Sequence, residues 1–362
     1  MTRLGNDPDI LGLAKKLGLA AIGDPVEAIL AQCRSRLDRW TKEAGGVRTI
    51  AELESLVTTK LQMVFEEIRS DADFDRITQI YAVGKRDFVF ATMRLKFDDQ
   101  ANPTYGALIR RKTAAPDAPD RYVAVIDCRG DKLARRFFTR WHEIAHRLTT
   151  DVDPDEPRYR SEHDPIEQLM DRIASHIGFY EPFLRPAIQE ASRHGPLLSF
   201  ATVQAVIARA FPSASFQATL FACVHYTASP VLYLEAMRAY KKETKRRLEA
   251  PSLFGDAPPL GEIRAVKVLP NEAARRDGFF IPTNMRVPEG SVIHRLFESE
   301  PQADGHVQEC LSQWKSQGRA RPPWPVAVEG RRVGDRVIAV IQSLGAKPPR
   351  KDRSRRETRL FQ

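Results

Sequence analysis

Two of the chain's eight histidines lie four residues apart in RRFFTRWHEIAHRLTT, residues 135–150. On an α-helix this spacing turns His146 only about 40° from His142 and moves it about 6 Å along the axis, so both imidazoles can bind one ion. Glu143, about 100° round the helix from His142, flanks such an ion without easily sharing its coordination. The H-E-x-x-H arrangement predicts a zinc site in which a glutamate takes a proton from metal-bound water.

The motif also has a simpler interpretation, a solvated helix face that happens to carry two histidines. At this histidine content, a bare H-E-x-x-H arises by chance in roughly one chain of this length in a hundred. A catalytic zinc site needs a third protein ligand beside its water. The motif alone leaves both interpretations open.

Glu167 is the best candidate for the third ligand. It lies in the first turn of the next predicted helix, and Asp171 follows four positions later on the same face. The Asp171 carboxylate can accept the free N–H of a ligand histidine, which fixes the ring tautomer and raises its basicity. Glu167 has an alternative role, because it occupies position N3 after the predicted N-cap Asp164, where a capping box favours an acid. Rival ligands from the preceding loop are His163, Glu162 and Asp164.

The site residues fall on two predicted helices that accompany short strands. The segment 129–149 is predicted to be a helix whose apolar stripe packs on a sheet. That stripe comprises Leu133, Phe137, Trp141, Ile144 and Leu148. The second helix, DPIEQLMDRIASHIGFY, has Asp164 as N-cap and Pro165 at the first helical position. FVFATMRLKF (88–97) and RYVAVIDC (121–128) are rich in β-branched and aromatic residues and predict strands.

The remaining segments predict a multi-domain α+β protein. Apolar periodicity predicts helices throughout the first seventy residues and, in three pieces, over 198–248. EIRAVKVL, GFFIP, PVAVEG and DRVIAVIQSL predict a small C-terminal α/β domain. We expect a helical N-terminal region (1–70), a core with the site (71–192), a helical segment (193–248), a linker rich in Pro and Gly (249–261), the C-terminal domain (262–345) and a basic tail (346–362).

Composition favours a soluble, cytoplasmic protein. The chain has 362 residues, 42% of them apolar and 28% charged. No apolar run reaches the roughly 20 residues of a membrane helix, and MTRLGNDPDI at the start predicts no signal sequence. No two of the cysteines form a C-x-x-C pair, which favours free thiols in a reducing compartment. The cysteines are Cys33, Cys128, Cys223 and Cys310.

The net charge of +9 suggests an acidic partner, and part of it lies in the tail KPPRKDRSRRETRLFQ. With seven Lys or Arg against two acidic residues, this segment has the composition of a disordered basic tail. The simpler interpretation is a solvated tail that aids solubility. The alternative is weak contact with nucleic acid or an acidic protein, which predicts steeply salt-dependent binding.

Around the motif the sequence resembles the ImmA/IrrE family of metallo-endopeptidases, zinc-dependent cytoplasmic proteases of bacteria and phages. The family carries a block close to R-x-F-T-x-x-H-E-x-x-H, followed about twenty residues later by a helix of the form E-x-x-C/A-N/D-x-x-A-A-x-x-L-x-P. The matching residues are Arg136, Phe138, Thr139, His142, Glu143 and His146 for the block, and Glu167, Met170, Asp171, Ala174 and Ser175 for the helix. The resemblance covers residues 121–182.

The resemblance implies His142, His146 and Glu167 as ligands of one zinc ion per chain, Glu143 as the catalytic base and Asp171 as the residue that supports a ligand. It also implies a zincin-like core, in which a small sheet accompanies the motif helix. Two positions depart from the family pattern. Ile-Ala replaces Leu-Gly or Leu-Ala after H-E, and GFYEP replaces the Leu-Met-Pro end of the second helix. The second departure concerns the substrate groove and not the ligands.

Longer family members place a helix-turn-helix-like segment and a GAF-like domain after the protease. Residues 199–226 match the first of these loosely. The second helix of that segment, SFQATLFACVHY, has no Arg or Lys to address base edges, which favours core packing over DNA recognition. His225 in this helix is accordingly interpreted as a structural residue.

The predicted chemistry is metal-assisted peptide hydrolysis. Glu143 would accept a proton from a water whose pKa zinc lowers, and would pass that proton to the leaving amine. The developing oxyanion also needs a donor, and the sequence selects none. Candidate donors are Tyr159, Arg158, His163 and His176. His176, nine residues after Glu167 on the same helix, is expected to point roughly the same way.

The resemblance implies a narrow substrate, because family proteases cut or disable a helix-turn-helix repressor and thereby switch on a mobile-element or stress programme. Two other functions stay open. One is a regulator or sensor that binds a repressor or ligand without cutting it. The other is a DNA-associated protein that uses the tail and the helical segment. The sequence does not indicate an oligomeric state.

Overall fold

The computed structural model describes residues 4–19, 23–81, 88–99, 104–111, 121–149, 164–193, 195, 197–241, 244, 261–300, 303–316 and 319–345. The predicted tail, nearly all of the predicted linker and the loops at 113–120 and 151–163 lie outside them. The protein is mixed α+β, and its contacts divide it into two compact units. None of the helices described here combines the length and the apolar character needed to cross a bilayer.

The first unit comprises residues 1–191 and 203–222, and the second comprises 192–202 and 223–362. The finer division into six segments stays a prediction. Up to residue 191 the elements are α1 Pro8–Lys16, α2 Pro25–Glu43, α3 Ile50–Leu61, β1 Met63–Ile68, α4 Asp71–Tyr81, α5 Phe88–Asp98, β2 Gly106–Arg111, β3 Arg121–Asp127, α6 Arg136–Thr149, α7 Pro165–Gly178 and α8 Glu181–Ala191. Two further helices are α9 Phe200–Ala210 and α10 Phe216–Tyr226.

A three-stranded sheet with the order β1-β3-β2 organises the first unit. β1 is parallel to β3, and β2 pairs antiparallel with β3 as an edge strand. One face of the sheet buries an apolar cluster with α4 and α5. Against the other face lies α6, where Arg140 stacks on Phe65 at 4.0 Å and Arg147 stacks on Tyr122 at 4.1 Å. The sheet therefore supports the motif helix along its length.

The predicted strand at 88–97 is wrong, because this segment forms helix α5. Its aromatic and β-branched residues favour a strand locally. Phe90, Met93 and Phe97 nevertheless recur at three-to-four spacing and are buried against the sheet. Packing of that helical face therefore overrides the local preference.

The prediction of helix throughout the first seventy residues also fails at one point. α3 ends where Gln62 adopts a left-handed conformation (φ 56°), and the chain continues as strand β1. Leu133 was predicted on the buried stripe of the motif helix, but half of its side chain is exposed. It belongs to a 3₁₀ turn, Gly130–Arg135, that precedes α6, so the 3.6-residue period does not extend back to it.

The second unit is built on a six-stranded antiparallel sheet with the order β6-β5-β4-β11-β10-β7, and β8 and β9 form a separate hairpin. Its elements are β4 Val231–Ala239, β5 Glu262–Pro270, α11 Glu272–Asp277, β6 Met285–Arg286, α12 Val292–Glu298, β7 Asp304–Cys310, β8 Lys315–Ser316, β9 Arg319–Ala320, β10 Pro325–Val333 and β11 Arg336–Ser343. An apolar core lies between the large sheet and helices α11 and α12.

The third predicted helix of the segment 198–248 is wrong, because residues 231–239 form the central strand β4. The run from Val231 to Leu234 is completely buried. A continuous apolar run of this kind is typical of a strand covered on both faces, and periodicity alone does not distinguish it from a buried helix.

Candidate metal centre

Two helices position the candidate ligands. The prediction that Asp164 caps α7 and that Pro165 is its first helical residue is confirmed, and the Asp164 side chain accepts a hydrogen bond from the Ile166 backbone N–H. At the other end of α7, Gly178 lies against the indole of Trp141, where a Cβ would come within 2.8 Å of ring carbons. Because glycine has no Cβ, α7 lies close to α6 and side chains of the two helices meet.

His142, His146 and Glu167 converge on one point. The Nε2 atoms of the two histidines are 3.1 Å apart. Glu167 Oε2 lies 3.0 Å from His142 Nε2 and 3.5 Å from His146 Nε2. Tetrahedral ligands on bonds of 2.0–2.1 Å are separated by about 3.3 Å. The three atoms therefore already lie near the spacing of three corners of a zinc coordination sphere.

Asp171 contacts Nδ1 of His142, whereas His146 and Glu167 lie near the other ring nitrogen, Nε2. Its Oδ1 is 2.8 Å from His142 Nδ1, so the ring donates to the carboxylate through Nδ1 when its Nε2 is a free acceptor. The side chains of His142, His146 and Glu167 keep 16–23% of their surface accessible. The cluster is therefore partly open to solvent, and its donor set of two imidazoles and one carboxylate fits zinc.

Glu143 lies beside these ligands and is buried, with 5% of its surface exposed. Within the part of the chain that the structure describes, its carboxylate takes part in no hydrogen bond or ion pair. Strand β2 passes directly beneath it, since a Cβ on Gly106 would lie 2.4 Å from Glu143 Oε1 and 2.8 Å from a methyl carbon of Thr139. Glycine at the start of β2 therefore makes room for the glutamate.

The charges of the site shift its pKa values. Burial by itself would lower the pKa of His142, but hydrogen bonds to Asp171 and Glu167 outweigh burial and raise that pKa to about 10. Burial would raise the pKa of Glu167, but hydrogen bonds from the two histidines hold it well below its usual range. Burial raises the pKa of Glu143, and the nearby histidine charges oppose this only in part. Without a metal, the protonated His142 ring is therefore the cation that lies between the carboxylates of Asp171 and Glu167.

His176 lies away from this site, and the prediction that it points the same way as Glu167 is wrong. Nine residues are two and a half helical turns, so His176 emerges on the opposite side of α7. There its Nδ1 is 3.3 Å from the Arg34 guanidinium, and it lines a cavity of about 420 Å³ together with Tyr180 and Glu181. His176 is therefore not a candidate donor to an oxyanion at the site of His142, His146 and Glu167.

Several other predicted residues lie outside the described part of the chain. They are Arg158, Tyr159, Glu162 and His163. Asp164, a rival third ligand, is described and caps α7. His225 lies on α10, outside the cluster that could hold a metal.

Sequence reasoning missed strand β2 and the role of Gly106. The available signal was a glycine followed by the short apolar run Ala-Leu-Ile, since glycine in a strand often marks a close approach of another group. Nothing in that segment alone indicates that the approaching group is Glu143, which follows 37 positions later.

No protein-family model and no curated protein matches the chain. Among solved structures, a Mycobacterium tuberculosis transcriptional regulator aligns with 82% of this chain and 94% of its own length, at 12% sequence identity and a TM-score of 0.33. A similarity of this size identifies neither a fold nor a function for this chain.

Proposed function

We propose that this chain is a zinc-dependent metallo-endopeptidase. The observation that carries the proposal is the convergence of two imidazole nitrogens and one carboxylate oxygen, 3.0–3.5 Å apart, beside a buried glutamate. This separation suits a tetrahedral ion. The simpler interpretation, a helix face with two solvated histidines, does not account for the contacts that Glu167 and Asp171 make from another helix.

Each residue has a distinct role in this proposal. His142, His146 and Glu167 would hold the ion, and Asp171 would keep the His142 ring in the tautomer that offers Nε2. When bound, zinc supplies a water of lowered pKa and polarises the scissile carbonyl. Glu143 would remove a proton from that water and return it to the leaving amine. Its burial raises its pKa, which suits a group that must both accept and release a proton.

The proposal for substrate and fold rests on the resemblance. We propose that the protein cuts a helix-turn-helix repressor and binds one zinc ion per chain. For the fold, the resemblance suggests a zincin-like core in the first unit, a helix-turn-helix-like pair formed by α9 and α10, and a GAF-like second unit. The cytoplasmic location is supported by four cysteines that form no disulfide.

Metal content and cleavage together test the proposal. We expect purified wild-type protein at neutral pH to carry about one zinc ion per chain by elemental analysis, and His146→Ala to carry almost none. His176→Ala is the matched control, since this histidine lies on the opposite side of α7 and should retain zinc. Only the zinc-bearing proteins should cleave a pool of random dodecapeptides. A wild-type protein without a stoichiometric divalent ion would overturn the proposal.

A further inference from the structure

The turn that leads into α6 and the first half of that helix carry five cationic side chains, and four of them pair with carboxylates. Arg129 and Lys132 contact Asp127. Arg136 contacts Glu67, and Arg140 contacts Glu54 and Glu67. The exception is Arg135. Among the residues that the structure describes, no carboxylate pairs with its exposed guanidinium.

Arg135 is held against the strand that lies beneath Glu143. Its guanidinium carbon is 3.9 Å from the centre of the Tyr105 ring, a stacking geometry that restricts the side chain without neutralising its charge. Tyr105 directly precedes Gly106, which contacts both Thr139 and Glu143. A polypeptide that reaches Glu143 along this edge of the sheet therefore passes the guanidinium.

The spacing along the chain gives the separation of Arg135 and Glu143 at the backbone. Arg135 is the last residue of the 3₁₀ turn, directly before α6, and Thr139 and Glu143 follow it at intervals of four residues. Eight residues at a rise of 1.5 Å each place their Cα atoms about 12 Å apart along the axis. An extended peptide covers this distance in about three to four residues, at 3.3–3.4 Å per residue.

We infer that Arg135 and Tyr105 form a subsite that selects an acidic side chain of the substrate, about three to four residues from the scissile bond. This inference rests on the proposed peptidase function and adds a substrate class to it. The planar guanidinium donates two parallel N–H groups that match a carboxylate, and the tyrosine ring fixes its orientation. The four neighbouring cations have their partners within the protein, so they cannot take this role.

Cleavage profiling tests the subsite. A pool of random dodecapeptides is digested, and the products are sequenced by mass spectrometry. We expect Asp and Glu to be enriched at one position, three to four residues to one side of the cut. Arg135→Gln should lose the enrichment. On a peptide with Asp at that position it should raise KM about tenfold with little change in kcat. The same substitution should raise KM much less for the Asn version of that peptide.

Arg94→Gln is the matched control, because it removes the same charge from an arginine that also faces an aromatic ring, Phe74, on the opposite face of the sheet. It should leave the cleavage profile unchanged. Charge reversal sharpens the result, since Arg135→Glu should prefer Lys at the position where the wild type prefers Asp. A wild-type profile without acidic preference, or a preference that survives in Arg135→Gln, would overturn the inference.

A binding measurement separates this inference from the proposed function. The zinc-loaded Glu143→Gln protein is immobilised with either Arg135 or Gln at position 135, and peptides retained from the same pool are sequenced. Acidic enrichment that depends on Arg135 supports the subsite even if the wild type cuts nothing, which would refute only the peptidase proposal. Equal retention of acidic and neutral peptides by both proteins refutes the subsite.

Discussion

Helix α6 carries two charged clusters of opposite character. The ion-pair cluster surrounds its first half and consists of Glu54, Glu67, Asp127, Arg129, Lys132, Arg136 and Arg140. The candidate metal cluster lies further along and on α7, and consists of His142, Glu143, His146, Glu167 and Asp171. In the first cluster every carboxylate contacts an Arg or Lys. In the second, Glu167 and Asp171 contact imidazoles, and Glu143 contacts no Arg or Lys among the residues that the structure describes.

The ion-pair cluster is complete without any added group. The Asp127 side chain is fully buried, with one oxygen 2.9 Å from Arg129 Nε and the other 2.6 Å from Lys132 Nζ. Burial would raise the Asp127 pKa, but the hydrogen bonds from these two cations outweigh burial and lower it. Such permanent pairs leave nothing for a ligand to neutralise, so we assign this cluster to stability.

The candidate metal cluster has no Arg or Lys partner among the residues that the structure describes. Glu167 and Asp171 contact two histidines, which become cationic only by taking up protons, and Glu143 lies beside them. A divalent ion would supply the missing charge. The two clusters therefore differ in the kind of cation that contacts their carboxylates, Arg and Lys in the first and histidine in the second. Each prediction below tests one side of this contrast.

The largest effect is expected for Glu143→Gln. This change keeps the shape of the side chain and removes the proton acceptor, so peptide cleavage should fall about 10³-fold. Zinc content and thermal stability should stay at the wild-type level, because Glu143 is neither a ligand nor an ion-pair partner. Steady-state cleavage rates, elemental analysis and a melting curve check this. If this variant loses peptide cleavage but keeps the effect that the wild-type protein has in cells, a regulator that binds without cutting is the better interpretation.

The next effect is on stability, and it concerns the ion-pair cluster. Asp127→Asn leaves two cations without their buried partner, which should lower the free energy of unfolding by about 2–4 kcal/mol at pH 7. Zinc content should not change. Because folding lowers the Asp127 pKa, its stabilisation is full above the unfolded value and is lost as the pH falls through the lowered folded value. The difference between wild type and variant in denaturant titrations should therefore shrink below about pH 4. A constant difference would contradict this account.

Asp171→Asn should have a smaller effect, on zinc affinity. Asp171 acts on the ion only through the His142 ring, and residues of this kind change metal affinity by about 10- to 100-fold. Half of the Asp171 side chain is exposed, so we expect a change of about tenfold. Competition against a chelator of known affinity measures it, with Asp164→Asn as a control on the same helix. An unchanged affinity would place Asp171 outside the site.

Much of this site could be predicted from the sequence, because helical spacing alone fixes how His142 relates to His146 and how Glu167 relates to Asp171. The start of α7 at Pro165 was predicted for the same reason, since capping is a local property. What could not be predicted depends on pairing between distant segments. Strand β2 and the contact of Gly106 with Glu143 arise from a sheet whose other strands lie elsewhere in the chain.

The fold shows the same division between local and distant information. α2 was predicted from its own period and caps, and the structure has it at Pro25–Glu43. α5 and β4 were assigned to the wrong class, because their apolar residues are compatible with either structure until a neighbouring sheet selects one. The sequence also contained no pattern that would indicate the role proposed for Arg135. It differs from the adjacent Arg136 only in what lies next to it after folding.

The last prediction needs no substitution and concerns the dependence of zinc affinity on pH. Hydrogen bonds to Asp171 and Glu167 raise the pKa of His142 to about 10, so at pH 7 the metal-free ring carries a proton that zinc must displace. The apparent affinity should therefore rise with pH, by about tenfold per unit, until the pH reaches that value. Calorimetric titrations in two buffers of different ionisation enthalpy should show release of about one proton per zinc ion at pH 7. Equal affinity at pH 6.5 and 8.5, with no proton released, would show that the metal-free ring is already neutral and that the two clusters differ less than proposed.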